Sequence, residues 1–235
     1  MKKTIGILGG MGPMATADLF QKITALTDAG RDSDHIRIYI DSNASIPDRT
    51  AAILEGGEDP VPAMADSLRK LEACGADCVI MPCNTAHYFL PRLEPLTKLP
   101  FLSMIEAAAA ACSRRFPGKR AGILATTGTL SAGLYQRALA AEGAAFLVPD
   151  EGERAALMEV IYRGVKAGAP PERYRGAFLS VIESLADRGA DCFLLACTEL
   201  PLAFQALGLD LPFADPTEEL ARAAIRFCGG KVRGE

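Results

Sequence analysis

Short apolar runs alternate with longer amphipathic segments along the whole chain. Glycine, proline or charged residues bound these runs, and a length of about five residues favours buried strands over helices. The segments between the runs are long enough for helices, so the pattern predicts parallel strands joined by helices that cover both faces of a sheet. The predicted strands are residues 3–8, 35–40, 77–81, 120–124 and 191–196.

Helix signals stand between the predicted strands. Pro13 suits the first turn of a helix after the first strand, and another helix is predicted to begin at Asn84. A proline pair at 170–171 opens a helix that packs through one apolar stripe. A last helix is predicted over residues 216–228, followed by a frayed tail over residues 229–235. The stripe consists of Tyr174, Phe178, Val181, Ile182 and Leu185.

The two halves of the chain repeat each other. Residues 75–85 read GADCVIMPCNT and recur as GADCFLLACTE at residues 189–199. A shorter match relates residues 6–10 to residues 122–126. The repetition predicts two similar α/β domains with parallel sheets, related by pseudo-symmetry. We expect the first domain to comprise residues 1–99 with 206–235, and the second to comprise residues 100–205.

Composition narrows the class of protein. With 235 residues, of which 49% are hydrophobic and 23% charged, the chain buries a sizeable core and is not disordered. A net charge of -4 gives no basic surface for nucleic acid, and no apolar run approaches the ~20 residues that span a bilayer. Seven cysteines, an odd number in a chain too large to need disulfides, favour a cytoplasmic location.

Each repeat places a cysteine where a strand ends. Cys83 and Cys197 occupy the matched positions, and ligands of parallel α/β sheets bind at the carboxyl ends of strands. A following helix start is expected to lower the pKa of such a thiol. Two thiols on opposite sides of one carbon suit a two-base racemisation, in which one removes the α-proton and the other returns a proton. The alternative is that both thiols only fill strand ends.

Other motifs are less specific. The other five cysteines are interpreted as packing residues. The spacing of Cys74, Cys78 and Cys83 fits no zinc pattern, and the sequence has only two histidines, so we expect no metal. Residues 10–15, GMGPMA, match a loose dinucleotide fingerprint, but Pro13 lies in the turn and Asp41 stands too far along the chain for the expected ribose contact. A glycine-rich loop also holds a carboxylate, and residues 126–129 match it in the second half.

Together these residues resemble a known family, the aspartate/glutamate racemases that work without pyridoxal phosphate. The carriers are residues 9–16 (GGMGPMAT), 81–87 (MPCNTAH) and 196–202 (ACTELPL), and the similarity runs over nearly the whole chain. The resemblance implies two flavodoxin-like domains with the active site in the cleft between them, and a homodimer. It implies Cys83 and Cys197 as the paired catalytic bases, an acidic amino acid as substrate, and no cofactor.

The resemblance also indicates which residues bind the substrate. Residues 47–50 (PDRT) look like the loop of an aspartate racemase, in which Arg49 pairs with the side-chain carboxylate. Lys166 resembles a second cationic contact in the same enzymes. His87 and Glu199 are left open: each either assists its neighbouring thiol or only packs or caps a helix. Glu199 is also expected to be a substrate-binding residue. The α-carboxylate is expected to meet Met11, Gly12, Asn84, Thr85, Thr127 and Thr198.

Three other functions compete with racemisation of aspartate or glutamate. A maleate isomerase or a decarboxylase of the same superfamily would act on a small dicarboxylic acid, although two retained cysteines favour the racemase. A binding protein for a small acid would hold aspartate without exchanging its α-proton. A nicotinamide-dependent enzyme would require nucleotide binding.

Overall fold

The computed structural model describes residues 2–235 and divides into two compact units. The first unit is Met1–Ala107 with Thr217–Glu235, and the second is Ala108–Pro216. Among the described residues each unit contains a four-stranded parallel sheet, ordered β2-β1-β3-β4 in the first unit and β6-β5-β7-β8 in the second. The strands are Ile5–Gly9 (β1), Ile38–Ser42 (β2), Cys78–Ile80 (β3), Phe101–Leu102 (β4), Ala121–Ala125 (β5), Phe146–Leu147 (β6), Cys192–Ala196 (β7) and Phe213–Ala214 (β8).

Helices follow nearly every strand, as a parallel sheet requires. Short 3₁₀ turns lie at Asp32–Asp34, Thr85–Phe89 and Glu94–Leu96, and a π-helix spans Glu159–Val165. The α-helices are Pro13–Leu26 (α1), Arg49–Leu54 (α2), Val61–Ala73 (α3), Leu90–Leu93 (α4), Met104–Arg115 (α5), Thr127–Ser131 (α6), Leu134–Ala141 (α7), Glu151–Met158 (α8), Glu172–Asp187 (α9), Leu200–Leu207 (α10) and Pro216–Phe227 (α11).

The identical strand order of the two sheets confirms the expected α/β fold with two similar domains. In the first unit, α3 lays Met64, Leu68 and Leu71 on the sheet, three buried positions at helical spacing. In the second unit, the apolar stripe of α9 is buried as predicted, with Phe178 and Leu185 fully enclosed. Burying one such side chain contributes about 2 kcal/mol, so these faces hold the helices to the sheets.

The predicted domain boundaries were too early along the chain. A boundary after residue 99 assigns β4 to the second domain, yet β4 pairs with β3 through Val79↔Phe101. A boundary after residue 205 assigns β8 to the first domain, yet β8 pairs with β7 through Phe193↔Phe213. The units instead divide within α5 and just after the first residue of α11.

The last residues are ordered, contrary to the predicted frayed tail. The Arg233 N–H donates to the Leu26 carbonyl at 2.7 Å, and Asp28 N–H donates to the Lys231 carbonyl at 2.9 Å. Val232 is buried and bridges Thr27 in antiparallel fashion. One apolar side chain and a few backbone bonds therefore fix the tail against the end of α1.

The glycine-rich turn after β1 is shaped by close packing. A side chain at Gly9 would lie 2.5 Å from the Thr16 methyl group, and one at Gly10 would overlap the backbone of Asn43. Gly10 also has a φ of 91°, which L-residues rarely adopt. Thr16 fastens the turn, because its hydroxyl accepts from the Gly10 N–H at 2.9 Å and donates to the Gly12 carbonyl at 3.0 Å. Packing within the protein thus accounts for Gly9 and Gly10.

We expect Gly10→Ala to lower the free energy of unfolding by about 3 kcal/mol or more, because strain and overlap with Asn43 add. Gly75→Ala is the matched control in the same unit: its φ is 84°, but nothing lies near the added methyl group. It should cost about 1 kcal/mol. Urea denaturation of the three proteins measures both values, and equal losses would show that the contact with Asn43 is unimportant.

Candidate active site

Both repeat cysteines lie at the carboxyl end of a central strand. Cys197 directly follows β7, which is paired with β5 on one side and β8 on the other. Cys83 follows β3, which is paired with β1 and β4. The side chains are buried, with exposures of 7% for Cys83 and 6% for Cys197. The structure thus places the two thiols at equivalent points of the two units.

The turn after Cys83 is a 3₁₀ helix rather than the α-helix predicted from Asn84. The His87 N–H donates to the Asn84 carbonyl at 3.1 Å, three residues back, and the His87 ring contacts the Cys83 carbonyl at 2.9 Å. Asn84 and Thr85 are buried within this turn. Cys83 belongs to the same buried cluster as Met11. The first unit therefore gathers a thiol and short polar side chains at one strand end.

His87 is a buried neutral imidazole. Its Nε2 accepts the Met104 N–H at 3.2 Å, so the proton resides on Nδ1, which donates to the Cys83 carbonyl. Burial lowers the pKa of His87 to about 4, since the charged ring would lose its hydration. The ring is therefore uncharged near neutral pH, and both of its nitrogens contact backbone groups.

Cys197 sits in a charged setting that its partner position does not share. Its thiol donates to Glu199 Oε2 at 3.0 Å, and the Thr198 hydroxyl donates to the same oxygen at 3.2 Å. Lys166 Nζ lies 3.9 Å from Glu199 Oε1. Burial and the Glu199 charge raise the pKa of Cys197 well above its usual range, while Lys166 opposes the shift. The expected lowering of the pKa by the helix start is therefore wrong for Cys197.

A π-helix brings Lys166 to this carboxylate. Lys166 follows the π-helix directly, and its N–H donates to the Ile161 carbonyl at 2.9 Å. Its ammonium lies 4.3 Å from the centre of the Tyr162 ring. Gly164 allows the close approach of Tyr174, because a Cβ there would lie 2.8 Å from that ring. π-Helical turns occur often at functional sites, and this one orients the cation.

Arg49 is buried in the first unit against loop carbonyls. Its Nη1 donates to Pro47 at 2.9 Å and to Ile46 at 3.1 Å, and its Nη2 reaches the Met11 carbonyl at 3.5 Å. Asp48 caps α2, since its side chain accepts from the Ala51 N–H. The contact joins two of the predicted substrate-binding residues, Arg49 and Met11, and holds the glycine-rich turn to the loop after β2.

Thr127 begins α6, beside the capping residue Thr126. The Thr126 side chain accepts from the Thr129 N–H at 3.2 Å. The Thr127 N–H itself donates to Met158 Sδ at 3.4 Å. Because that backbone donor points to a sulfur, the Thr127 hydroxyl is the more suitable group for a carboxylate.

Sequence reasoning missed two polar residues of the second unit. Tyr135, on α7, is fully enclosed, and burial together with the charges of Asp215 and Cys197 raises its pKa well above the usual range. Asp215, also buried, directly follows β8. The Asp-Pro step at residue 215 is a helix-start signal, but nothing in the local pattern links it to Tyr135.

Two kinds of feature are absent from residues 2–235. Within that range no helix is both long and apolar enough to cross a membrane. The same residues contain no group of three or more His, Cys, Asp or Glu side chains suited to a metal ion.

Comparison with known proteins gives consistent matches. Residues 8–224 match the family described as Asp/Glu/Hydantoin racemase. Picrophilus torridus aspartate racemase is 33% identical with a TM-score of 0.82, covering 98% of this chain and 96% of that one. The broad specificity amino-acid racemase RacX of Bacillus subtilis (strain 168) is 26% identical, covering 94% of this chain and 96% of that protein. An aspartate racemase homologue from Pyrococcus horikoshii OT3, 23% identical with a TM-score of 0.76, covers 97% of this chain and 100% of that one and shares the fold.

Each of the two α/β units has a parallel sheet and a buried thiol at the carboxyl end of one of its two inner strands. This arrangement defines a class of two-unit α/β proteins with a cysteine at the same point of each unit. The family match extends over most of the chain. This protein belongs to the Asp/Glu/hydantoin racemase family, which confirms the resemblance noted in the sequence.

We expect opposite shifts in the pKa of Cys197 from two substitutions beside it. Glu199→Gln keeps an acceptor for the thiol but removes the negative charge, so the pKa should fall. Lys166→Met removes the opposing positive charge, so the pKa should rise. The pH dependence of iodoacetamide labelling of Cys197, followed by peptide mass spectrometry, measures both. Shifts of the same sign would contradict the assigned electrostatics.

His87 should make the protein less stable in acid. Its pKa is about 4 in the folded protein against 6.5 ordinarily, so the unfolded chain binds the proton first. Stability contributed by the neutral ring is complete above pH 6.5 and is lost as the pH falls towards 4, by about 3 kcal/mol. In His87→Gln this part of the loss should disappear. The control His35→Gln alters the other of the two histidines and should retain the acid-dependent loss of stability. Urea denaturation between pH 4 and 7 compares the two variants with the wild type.

Proposed function

We propose that this protein is an amino-acid racemase that interconverts L- and D-aspartate without pyridoxal phosphate or another cofactor. The observation that carries the proposal is the pair of buried cysteines at matched strand ends of the two repeats. The matching Picrophilus torridus protein is named an aspartate racemase, which supports aspartate as substrate. We also expect a homodimer, as the sequence resemblance implies, and a cytoplasmic location, as the seven cysteines favour.

The proposed reaction needs only two proton transfers. A thiolate removes the α-proton, so a C–H bond breaks and an S–H bond forms. The opposite thiol then donates its proton to the other face of the carbanion, and the two sulfurs exchange roles. The raised pKa of Cys197 favours that residue as the protonated thiol before turnover. The mechanism requires both sulfurs to reach the same α-carbon.

Substrate recognition is proposed to combine fixed cations with short donors. Arg49 and Lys166 would attract the side-chain carboxylate, and both are already oriented, Arg49 by backbone carbonyls and Lys166 by Tyr162 and Glu199. Preorganised donors cost little reorganisation when charge develops. Met11 and Gly12 would contribute to the α-carboxylate site from the glycine-rich turn. The other proposed contacts to that carboxylate are Asn84, Thr85, Thr127 and Thr198.

The proposal is tested by proton NMR of the reduced protein in D₂O with L-aspartate and, separately, D-aspartate. We expect the α-proton signal of both enantiomers to disappear while chirality is lost, without added cofactor. Exchange of neither enantiomer would refute aspartate racemisation. Parallel samples with L-glutamate and maleate then distinguish a glutamate racemase from an isomerase of dicarboxylic acids.

Cysteine substitutions test the two-base mechanism. Cys83→Ser and Cys197→Ser should each lower kcat/KM by at least about 100-fold, because each removes an acid–base group. The loss must be equal in the two directions, since the enantiomers have equal free energy. Cys112→Ala, which alters a buried thiol on α5, is the control and should stay within a few-fold of the wild type. Full activity in either serine variant would exclude that cysteine as a base.

A further inference from the structure

The backbone around Cys83 uses a side chain where a helix would use its main chain. In an α-helix the N–H of residue 87 would donate to the carbonyl of residue 83. Here that N–H donates to Asn84, and the His87 ring nitrogen Nδ1 takes its place at the Cys83 carbonyl, at 2.9 Å. The 3₁₀ turn leaves the Cys83 carbonyl without the main-chain donor of an α-helix, and the His87 ring supplies the missing hydrogen bond.

The other nitrogen of the ring fixes the turn to a different element. Nε2 accepts the N–H of Met104, the first residue of α5, at 3.2 Å. Ser103 steadies the same helix start, because its hydroxyl accepts the Glu106 N–H at 3.2 Å. His87 is only 6% exposed, so water is poorly placed to replace either bond. The imidazole thus bridges the Cys83 turn and the start of α5.

We propose that His87 is a positioning residue for Cys83, whose neutral imidazole fixes the peptide group between Cys83 and Asn84 against α5. That peptide group sets the direction in which the Cys83 thiol leaves the backbone and the aim of the next N–H groups. The inference rests on the proposed function, in which Cys83 transfers the α-proton.

The contacts favour positioning over direct acid–base work by the histidine. Both ring nitrogens contact backbone groups, and the one nearest the thiol contacts the Cys83 carbonyl rather than its sulfur. The matched position in the second repeat is Pro201, which lies in the first turn of α10. The bridge therefore belongs to Cys83 alone, whereas Cys197 is held through Glu199.

Two amide substitutions separate the halves of the bridge. In His87→Asn the side-chain amide N–H replaces Nδ1–H and keeps the bond to Cys83. In His87→Gln the longer side chain replaces Nε2 and keeps the Met104 N–H satisfied, but the bond to Cys83 is lost. We expect kcat of His87→Gln to fall about 10- to 100-fold with KM changed less than about threefold, since misplacement of a reacting group acts on turnover. His87→Asn should recover activity to within about fivefold, and His35→Asn is the control.

Isotope effects provide a readout that general destabilisation would not move. With α-deuterated L- and D-aspartate, slower transfer at Cys83 should raise the isotope effect for the enantiomer that Cys83 deprotonates and lower it for the other. If the wild type racemises aspartate but His87→Gln keeps the wild-type kcat, or if the two isotope effects of this variant change in the same direction, the inference about His87 is overturned while the proposed function stands. A wild type that racemises no acidic amino acid refutes the proposed function, and the inference falls with it.

Discussion

Parallel pairing on both sides of a central strand is the constraint on which the rest depends. β3 and β7 each bond to two neighbours, so their side chains are buried on both faces and must be apolar or small. Cysteine meets this demand as a small hydrophobe, and at the carboxyl end of a strand its sulfur reaches the edge where parallel sheets bind ligands. One packing requirement therefore determines both the core and the place of the thiols.

Four strands, β1, β3, β5 and β7, could be predicted because short runs of apolar and small residues bounded by turns have few other solutions, and β2 could be predicted because isoleucines alternate with other residues over 35–40. The two-residue strands β4, β6 and β8 could not, since two residues carry no periodicity. Pairing with a partner far along the chain creates them, as Phe213 pairs with Phe193. The domain boundaries failed for the same reason: β4 and β8 decide which sheet each linker belongs to, and only the paired structure reveals them.

The candidate site, like the fold, could be predicted from the sequence only in part. Repetition of the strand-end motif was enough to select Cys83 and Cys197, because equivalent positions in two similar units carry the same residue type. Local patterns did not reveal how each thiol is held. The bridge from His87 to Met104 joins residues on separate elements, and the pKa of Cys197 depends on Glu199 and Lys166 together. The field of a helix start would by itself lower the pKa of Cys197, but burial and the neighbouring Glu199 carboxylate have larger effects and raise it.

The two thiols are held by different chemistry, and a two-base racemase tolerates this difference. Cys197 donates to a carboxylate that a lysine faces, whereas the Cys83 backbone bonds to a neutral imidazole. Since L- and D-aspartate have the same free energy, the ratio of kcat/KM in the two directions is fixed at unity whatever the side chains do. Unequal environments therefore act on which sulfur carries the proton between turnovers. In the proposed enzyme the Glu199 carboxylate holds that proton on Cys197 between turnovers. The enantiomer that Cys197 has to deprotonate can therefore react only after this proton has moved to Cys83.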